Sequence, residues 1–140
     1  MPIRCDIVSQ DREVFSGDVD LVLLPGAEGY MGILPHHTPV ITVIQYGIIS
    51  VKTSNQEQHF TVAGGIAEVQ PDQVTILADA AENVAEIDIQ RAQDARNRAE
   101  EILKKGVGPD TDTYLKIQAA LRRSNLRLDA VHRYRRTQKR

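Results

Sequence analysis

Two sets of residues in this 140-residue chain have types and spacings that could do chemistry. The first is "LLPGAEGYMGILPHHTPV", Leu23 to Val40, with glycines at 26, 29 and 32, three prolines and the adjacent His36 and His37. The second is a group of four arginines, Arg91, Arg98, Arg123 and Arg127. The glycine spacing, G-x-x-G-x-x-G, matches neither the dinucleotide fingerprint nor the P-loop, and the chain contains no Gly-Lys pair. The segment is also expected to lie between strands, with no helix N-terminus to hold a phosphate. Turn glycines are therefore the expectation.

Neighbouring histidines in extended chain point to opposite faces, so His36 and His37 are poorly placed to share a metal. Cys5, His59 and His132 lie far off, without a recognisable ligand spacing. Each histidine is expected to be either a satisfied structural residue or one presented to a partner. Ser9, Ser16, Ser50 and Ser54 have no nucleophile-elbow context, and no carboxylate pair stands out. No catalytic residue and no metal site is assigned. Cys5 sits in an alternating apolar run, reads as a buried structural thiol, and as a lone cysteine fits a reducing compartment.

The arginines divide into two pairs. Arg91 and Arg98 are seven apart and share a helix face, as do Arg123 and Arg127, four apart. If two helices fold together, four cations either repel or are bridged by a polyanion such as a triphosphate through bidentate, charge-assisted bonds. The competing reading has them pairing with acids such as Asp94 or solvating freely.

The elements that must position these groups form two modules. Up to about residue 80 the pattern has period two, in "IRCDIVS", "DVDLVLL", "GIISVKT", "QHFTVAG" and "QVTILAD". Gly17, Pro25–Gly26, Gly47, Asn55, Gly64–Gly65 and Pro71–Asp72 punctuate these runs, which predicts an antiparallel sandwich or barrel. From residue 86 the period becomes helical. Ala92, Ala95, Ala99 and Ile102 form one stripe, and Ile117, Leu121, Ser124, Leu128 and Val131 form another. Asp88 is a cap or first-turn acid, Lys104–Lys105–Gly106 is a stop, and "GVGPDTD" is a loop after which Asp112 or Thr113 caps the second helix. Both stripes are thin, so the hairpin they make is expected to be weakly held and able to open.

Charge follows the same division. Residues 1–84 carry three bases against eleven acids, and residues 112–140 carry nine bases against two acids. The basic end implies an anionic partner. Residues 133–140 read as a frayed, solvated tail, and residues 121–140, with a single aromatic, Tyr134, match no nucleic-acid motif. No apolar run is long enough to span a bilayer, and the N-terminus lacks a signal peptide's apolar stretch.

The segments "VLLPGAEGYMGILPHHTPVIT", "GIISV", "VAGGIAEVQPDQVTILAD" and "IDIQRAQDA" occur in an order that resembles the epsilon subunit of F-type ATP synthases, over residues 3 to about 130. The resemblance implies an α+β chain: an antiparallel β-sandwich of about ten strands in residues 1–84, then a two-helix hairpin in residues 85–140. It implies a non-catalytic central-stalk subunit with no required cofactor. Its sandwich would contact the gamma subunit and the loops of the c-ring, and its helices would inhibit ATP hydrolysis by reaching the alpha and beta subunits of the catalytic head.

On this resemblance Tyr30 occupies a position where some relatives carry an acid that contacts the c-ring, and His37, rather than His36, matches the family histidine. "IDIQRA" matches the start of a motif with which some bacterial relatives bind regulatory ATP, and Glu82, Asp88, Arg91, Arg98, Arg123 and Arg127 match the residues implicated there. The implied location is the cytoplasmic face of a bacterial plasma membrane, reached only through the complex, or the stromal side of a thylakoid. A stand-alone nucleotide-sensing module and a basic-tailed nucleic-acid-binding protein are the rival classes.

Overall fold

The computed structural model describes residues 2–106 and 111–138. The chain divides into two compact units, Met1–Ala85 and Glu86–Arg140.

The first unit holds eight strands among the described residues: β1 (Ile3–Val8), β2 (Glu13–Val19), β3 (Leu21–Gly26), β4 (Gly29–Ile33), β5 (Val40–Lys52), β6 (Glu57–Val69), β7 (Gln73–Ala78) and β8 (Ala81–Asn83). They are hydrogen-bonded in the order β2-β1-β7-β6-β5-β3-β4, with β8 pairing to β6 off that path. The sheet doubles over a core to make a β-sandwich. Alternation sets what enters the core: Ile3, Cys5 and Ile7 of β1 are buried, as are Val74, Ile76 and Ala78 of β7. β3, β5 and β6 add Val22, Leu24, Ile44, Ile49, Phe60 and Val62. Burial raises the Cys5 thiol to about 12, so it stays a neutral packing group.

Eight strands stand among the described residues where the resemblance implies about ten, and several glycines lie inside them. Gly17, Gly47, Gly64 and Gly65, expected as breaks, lie inside β2, β5 and β6. β5 and β6 are each 13 residues long and pair in one register from Val40↔Val69 to Lys52↔Glu57. Gly64 and Gly65 keep β6 intact by taking φ of 100° and 145°, a region that side chains disfavour. Around them β6 changes its outer neighbour, from β8 at Phe60–Val62 to β7 at Gly65–Val69.

β1 pairs with β7 in parallel, Arg4↔Gln73 through Val8↔Leu77, so the sandwich is antiparallel except here. Polar side chains tie this edge together. Asp6 accepts from Ser16 Oγ of β2 at 2.6 Å and from Gln73 Nε2 of β7 at 3.1 Å. The Arg4 guanidinium lies 3.4 Å from the same carboxylate and donates to Ser16 Oγ. The bond from Ser16 is the chief reason the Asp6 carboxyl titrates below the usual range.

The Leu23–Val40 stretch is also more regular than expected. Leu21–Gly26 and Gly29–Ile33 are the arms of a hairpin closed by Gly26↔Gly29. Much of it is therefore strand rather than a connection between strands.

The second unit contains α1 (Ile89–Lys105) and α2 (Thr111–Gln138). Asp88 is the α1 N-cap: its side chain accepts from Arg91 N at 3.1 Å. Gly106, with φ 84°, ends the helix after Lys104 and Lys105. The α1 stripe is Ala92, Ala99 and half-buried Ala95 and Leu103, while Ile102 is exposed. Both choices fit helical spacing from Ala99, and the packing partner decides between them. On α2, Ser124, Ala130 and Val131 are buried.

α2 begins at Thr111, so Asp112 and Thr113 lie inside its first turns instead of capping it. Residues 107–110 of the expected loop lie outside the described residues, as do residues 139–140 of the expected tail. The rest of that tail is helical to Gln138. Arg135 helps hold it, donating to Ile87 O at 2.6 Å.

Candidate functional site

The β3–β4 hairpin presents the first candidate surface. A two-residue connection, Ala27–Glu28, forms its tip. Tyr30 stands on β4 opposite Pro25, and its ring is 64% exposed. Its hydroxyl accepts from Ile48 N at 3.0 Å, so its polar end is engaged within the sheet.

The histidines that follow are not in extended chain, as their opposite-face reading requires. His36 has φ 68°, and its N–H donates to Pro71 O at 2.7 Å. His37 is half-buried, with Nδ1 2.6 Å from Thr38 O. No group of three metal-ligating side chains occurs among the described residues.

A second surface lies on the strands behind. Val43 of β5, Ile66 of β6 and Leu77 of β7 are register partners in a row across three strands. All three are exposed, and Ile41, two residues along β5, is 73% exposed. Branched side chains in solvent on one sheet face form a contiguous apolar patch, a feature that marks interaction surfaces. Strand alternation carries the signal in sequence, because "VITVI" and "GGIAEV" put apolar residues on both faces.

The helical unit carries the third candidate set. Arg91 and Arg98 are exposed on α1, and Arg123 and Arg127 are half-buried on α2 beside buried Ser124. Asp88 is already bound to its own helix terminus. Glu82 belongs to the first unit, half-buried on β8 and paired with Thr61 of β6. Arg96 escaped the spacing argument. It lies on the α1 stripe between Ala92 and Ala99, half-buried, with its Nε buried and lacking a hydrogen-bond partner among the described residues.

Sequence reasoning also missed a buried polar chain in the sandwich. Ser50 and His59 are cross-strand partners on β5 and β6. Ser50 Oγ is 2.7 Å from His59 Nδ1, and His59 Nε2 is 3.2 Å from Glu57 Oε1. Lys52 Nζ stands 3.8 Å from the same Glu57 oxygen. His59 is 1% exposed. Desolvation is the main cause holding its pKa below the ordinary histidine value; Lys52 adds to the effect and Glu57 opposes it. The neutral ring accepts the Ser50 proton at Nδ1 and turns Nε2 towards the Glu57 carboxylate.

Family models match both units. "ATP synthase, Delta/Epsilon chain, beta-sandwich domain" covers residues 2–84, and "ATP synthase, Delta/Epsilon chain, long alpha-helix domain" covers residues 85–132. The chain belongs to the ATP synthase delta/epsilon chain family. Within it, the similar proteins are ATP synthase epsilon chains. That of Dehalococcoides mccartyi strain BAV1 is 43% identical over 95% of this chain and 94% of its own. That of Nitrosococcus oceani is 42% identical over 96% of each, and that of Halalkalibacterium halodurans is 39% identical over 94% and 98%.

Two solved structures share the fold. A chain in the Euglena gracilis mitochondrial ATP synthase OSCP/F1/c-ring structure superposes with TM-score 0.77 at 24% identity, covering 94% of this chain and 82% of that one. A chain of the Tetrahymena thermophila mitochondrial ATP synthase central stalk and c-ring gives 0.60 at 13% identity, covering 94% and 97%. Among the described residues, no helix is long and apolar enough to cross a membrane.

The histidine makes a pH prediction. Its folded-state pKa is depressed, so the unfolded chain binds more protons below about pH 6.5. The stability that neutral His59 contributes is complete above that pH and lost as pH falls through the folded value. The urea midpoint of the full chain is expected to drop between pH 7 and pH 5 by more than that of His59→Gln. Parallel pH profiles would assign the loss to other groups.

Proposed function

We propose that this chain is a non-catalytic subunit of the central stalk, joining the proton-driven rotor to the catalytic head of an F-type ATP synthase. The observation that carries the reading is the apolar row Ile41, Val43, Ile66 and Leu77, exposed on a sheet face in a family whose members serve in assemblies. Such a row costs solubility unless another subunit covers it. The gamma subunit is the partner assigned to this face, and the c-ring loops to the neighbouring β3–β4 tip with Tyr30 and His37. The chain reaches the membrane only through these partners, on the cytoplasmic face in a bacterium. Ile66→Lys places a charge in the row at a position already in water, so folding is expected to survive. Co-purification with gamma should fall sharply; retention at wild-type level would exclude the row as the interface.

The helical unit supplies regulation. α2 carries Arg122, Arg123, Arg127, Arg133 and Arg135, which suit an acidic surface on the alpha and beta subunits. The buried residues of the two helices are mostly small, Ala92, Ala99, Ser124 and Ala130 beside Val131, and bury little apolar area, so the pair is expected to be weakly held. Removing residues 86–140 from the assembled enzyme is therefore expected to raise ATP hydrolysis, measured by phosphate release. An unchanged rate would remove inhibition from the account.

ATP is the ligand assigned to Arg91, Arg98, Arg123 and Arg127 of the helical unit, with Asp88 as the matching acid. The half-buried pair on α2 supports this part: cations partly shielded from water bind phosphates more strongly than exposed ones. A ligand favours the folded hairpin only by its preference for it. Calorimetric titration of the full chain with ATP should give saturable heat that Arg123→Ala abolishes. No heat at millimolar ATP would refute the assignment.

A further inference from the structure

β3 is registered to β5 at its two ends and not between them. Leu21, Val22 and Leu23 pair with Lys52, Val51 and Ser50, and Gly26 pairs with Ile44, with a register shift between Leu23 and Gly26. Pro25 stands in that gap and has no N–H to offer. On this side β5 has no β3 register partner from Gln45 to Ile49, and backbone polar groups so placed need other partners.

One side chain supplies a partner there, and a second ties the hairpin tip to β5. Tyr30, on the far strand β4, reaches across β3 beside Pro25, and its hydroxyl accepts from Ile48 N at 3.0 Å. Gly47 makes room for this: a Cβ there would lie 2.8 Å from the Tyr30 hydroxyl and 2.8 Å from Pro25 Cβ. Gln45 Nε2 donates to Ala27 O at 2.9 Å, tying the hairpin tip itself to β5. A tyrosine with its ring in solvent and its hydroxyl fixed on a strand two places away is a strut.

We propose that Tyr30 and Gln45 are positioning residues for the β3–β4 tip, which set the angle at which Ala27–Glu28 is offered to the stalk partner by holding the tip to β5 at Ile48 N and Ala27 O. This rests on the reading of the tip as a contact surface. It gives Tyr30 a role that its exposure alone does not suggest. The ring supplies contact area, and the hydroxyl supplies geometry. Phenylalanine separates the two, since it keeps the ring and loses only the strut.

The test uses the full chain as wild type, Tyr30→Phe and Gln45→Ala. Amide exchange by NMR reads the tip, and binding to a purified gamma–c-ring subcomplex reads docking. Tyr30→Phe is expected to speed exchange at Ile48 roughly fivefold and to loosen Ala27–Gly29. Gln45→Ala should loosen Ala27–Gly29 while leaving Ile48 protected. Both variants should dock about tenfold more weakly, while exchange in β1 and β7 stays at wild-type rates. Unchanged exchange at Ile48 and the tip in Tyr30→Phe would overturn the strut. Faster exchange with undiminished docking would overturn the positioning role. Replacing Ala27–Glu28 by Gly-Gly tests the underlying reading on its own: if that variant docks normally, the tip is not a contact surface and the proposal falls with it.

Discussion

The first unit depends on one long pairing. β5 and β6 run antiparallel for 13 residues each without a register shift between them. Every other strand except β1, β2 and β4 attaches to this pair directly, β3 on one side and β7 and β8 on the other. Ile44, Ile49, Val51, Phe60, Val62, Ala67 and Val69 of the pair form the middle of the core. A one-residue slip would turn this set outward, so burial fixes the register. That register also brings Ser50 to His59 and Val43 to Ile66, and thus places both the buried polar chain and the exposed apolar row.

Such a ladder has to bend without breaking. The glycines allow it, and the register shifts where β3 joins β5. Tyr30 of β4 reaches into the gap there and Gln45 of β5 ties the tip, which gives an exposed hairpin more order than its loop sequence suggests. The helical unit follows another rule. It has well-made ends, with Asp88 and Gly106 closing α1, and a narrow interface.

Much of this was legible in the chain because alternation and helical spacing report burial directly. β1 and β7 stand out by their apolar-polar pattern, and α1 by its stripe and caps. β4 was hidden, since Gly29 and Gly32 look like turn residues when the cross-strand partners Gly26 and Leu23 are unknown. The interior glycines of β5 and β6 misled for the same reason: a glycine that permits a turn and one that permits a bend look alike. The arginine spacing correctly puts Arg91 with Arg98 and Arg123 with Arg127 on common faces. It does not say which pair packs, and the structure half-buries only the second. The Ser50–His59–Glu57 chain has no local signature, because it exists only through register.

The parallel pairing of β1 with β7 bears on how the chain is made. β1 leaves the ribosome first, yet it sits in the interior of the sheet order, between β2 and β7. Until Gln73–Ala78 has emerged, Ile3, Cys5 and Ile7 have only the β1–β2 hairpin for shelter, and an isolated hairpin is at best marginal in water. The first unit thus closes late, by its most non-local contact, a topology that slows folding and prolongs exposure of apolar strands. The helices, built from near neighbours, have no such wait.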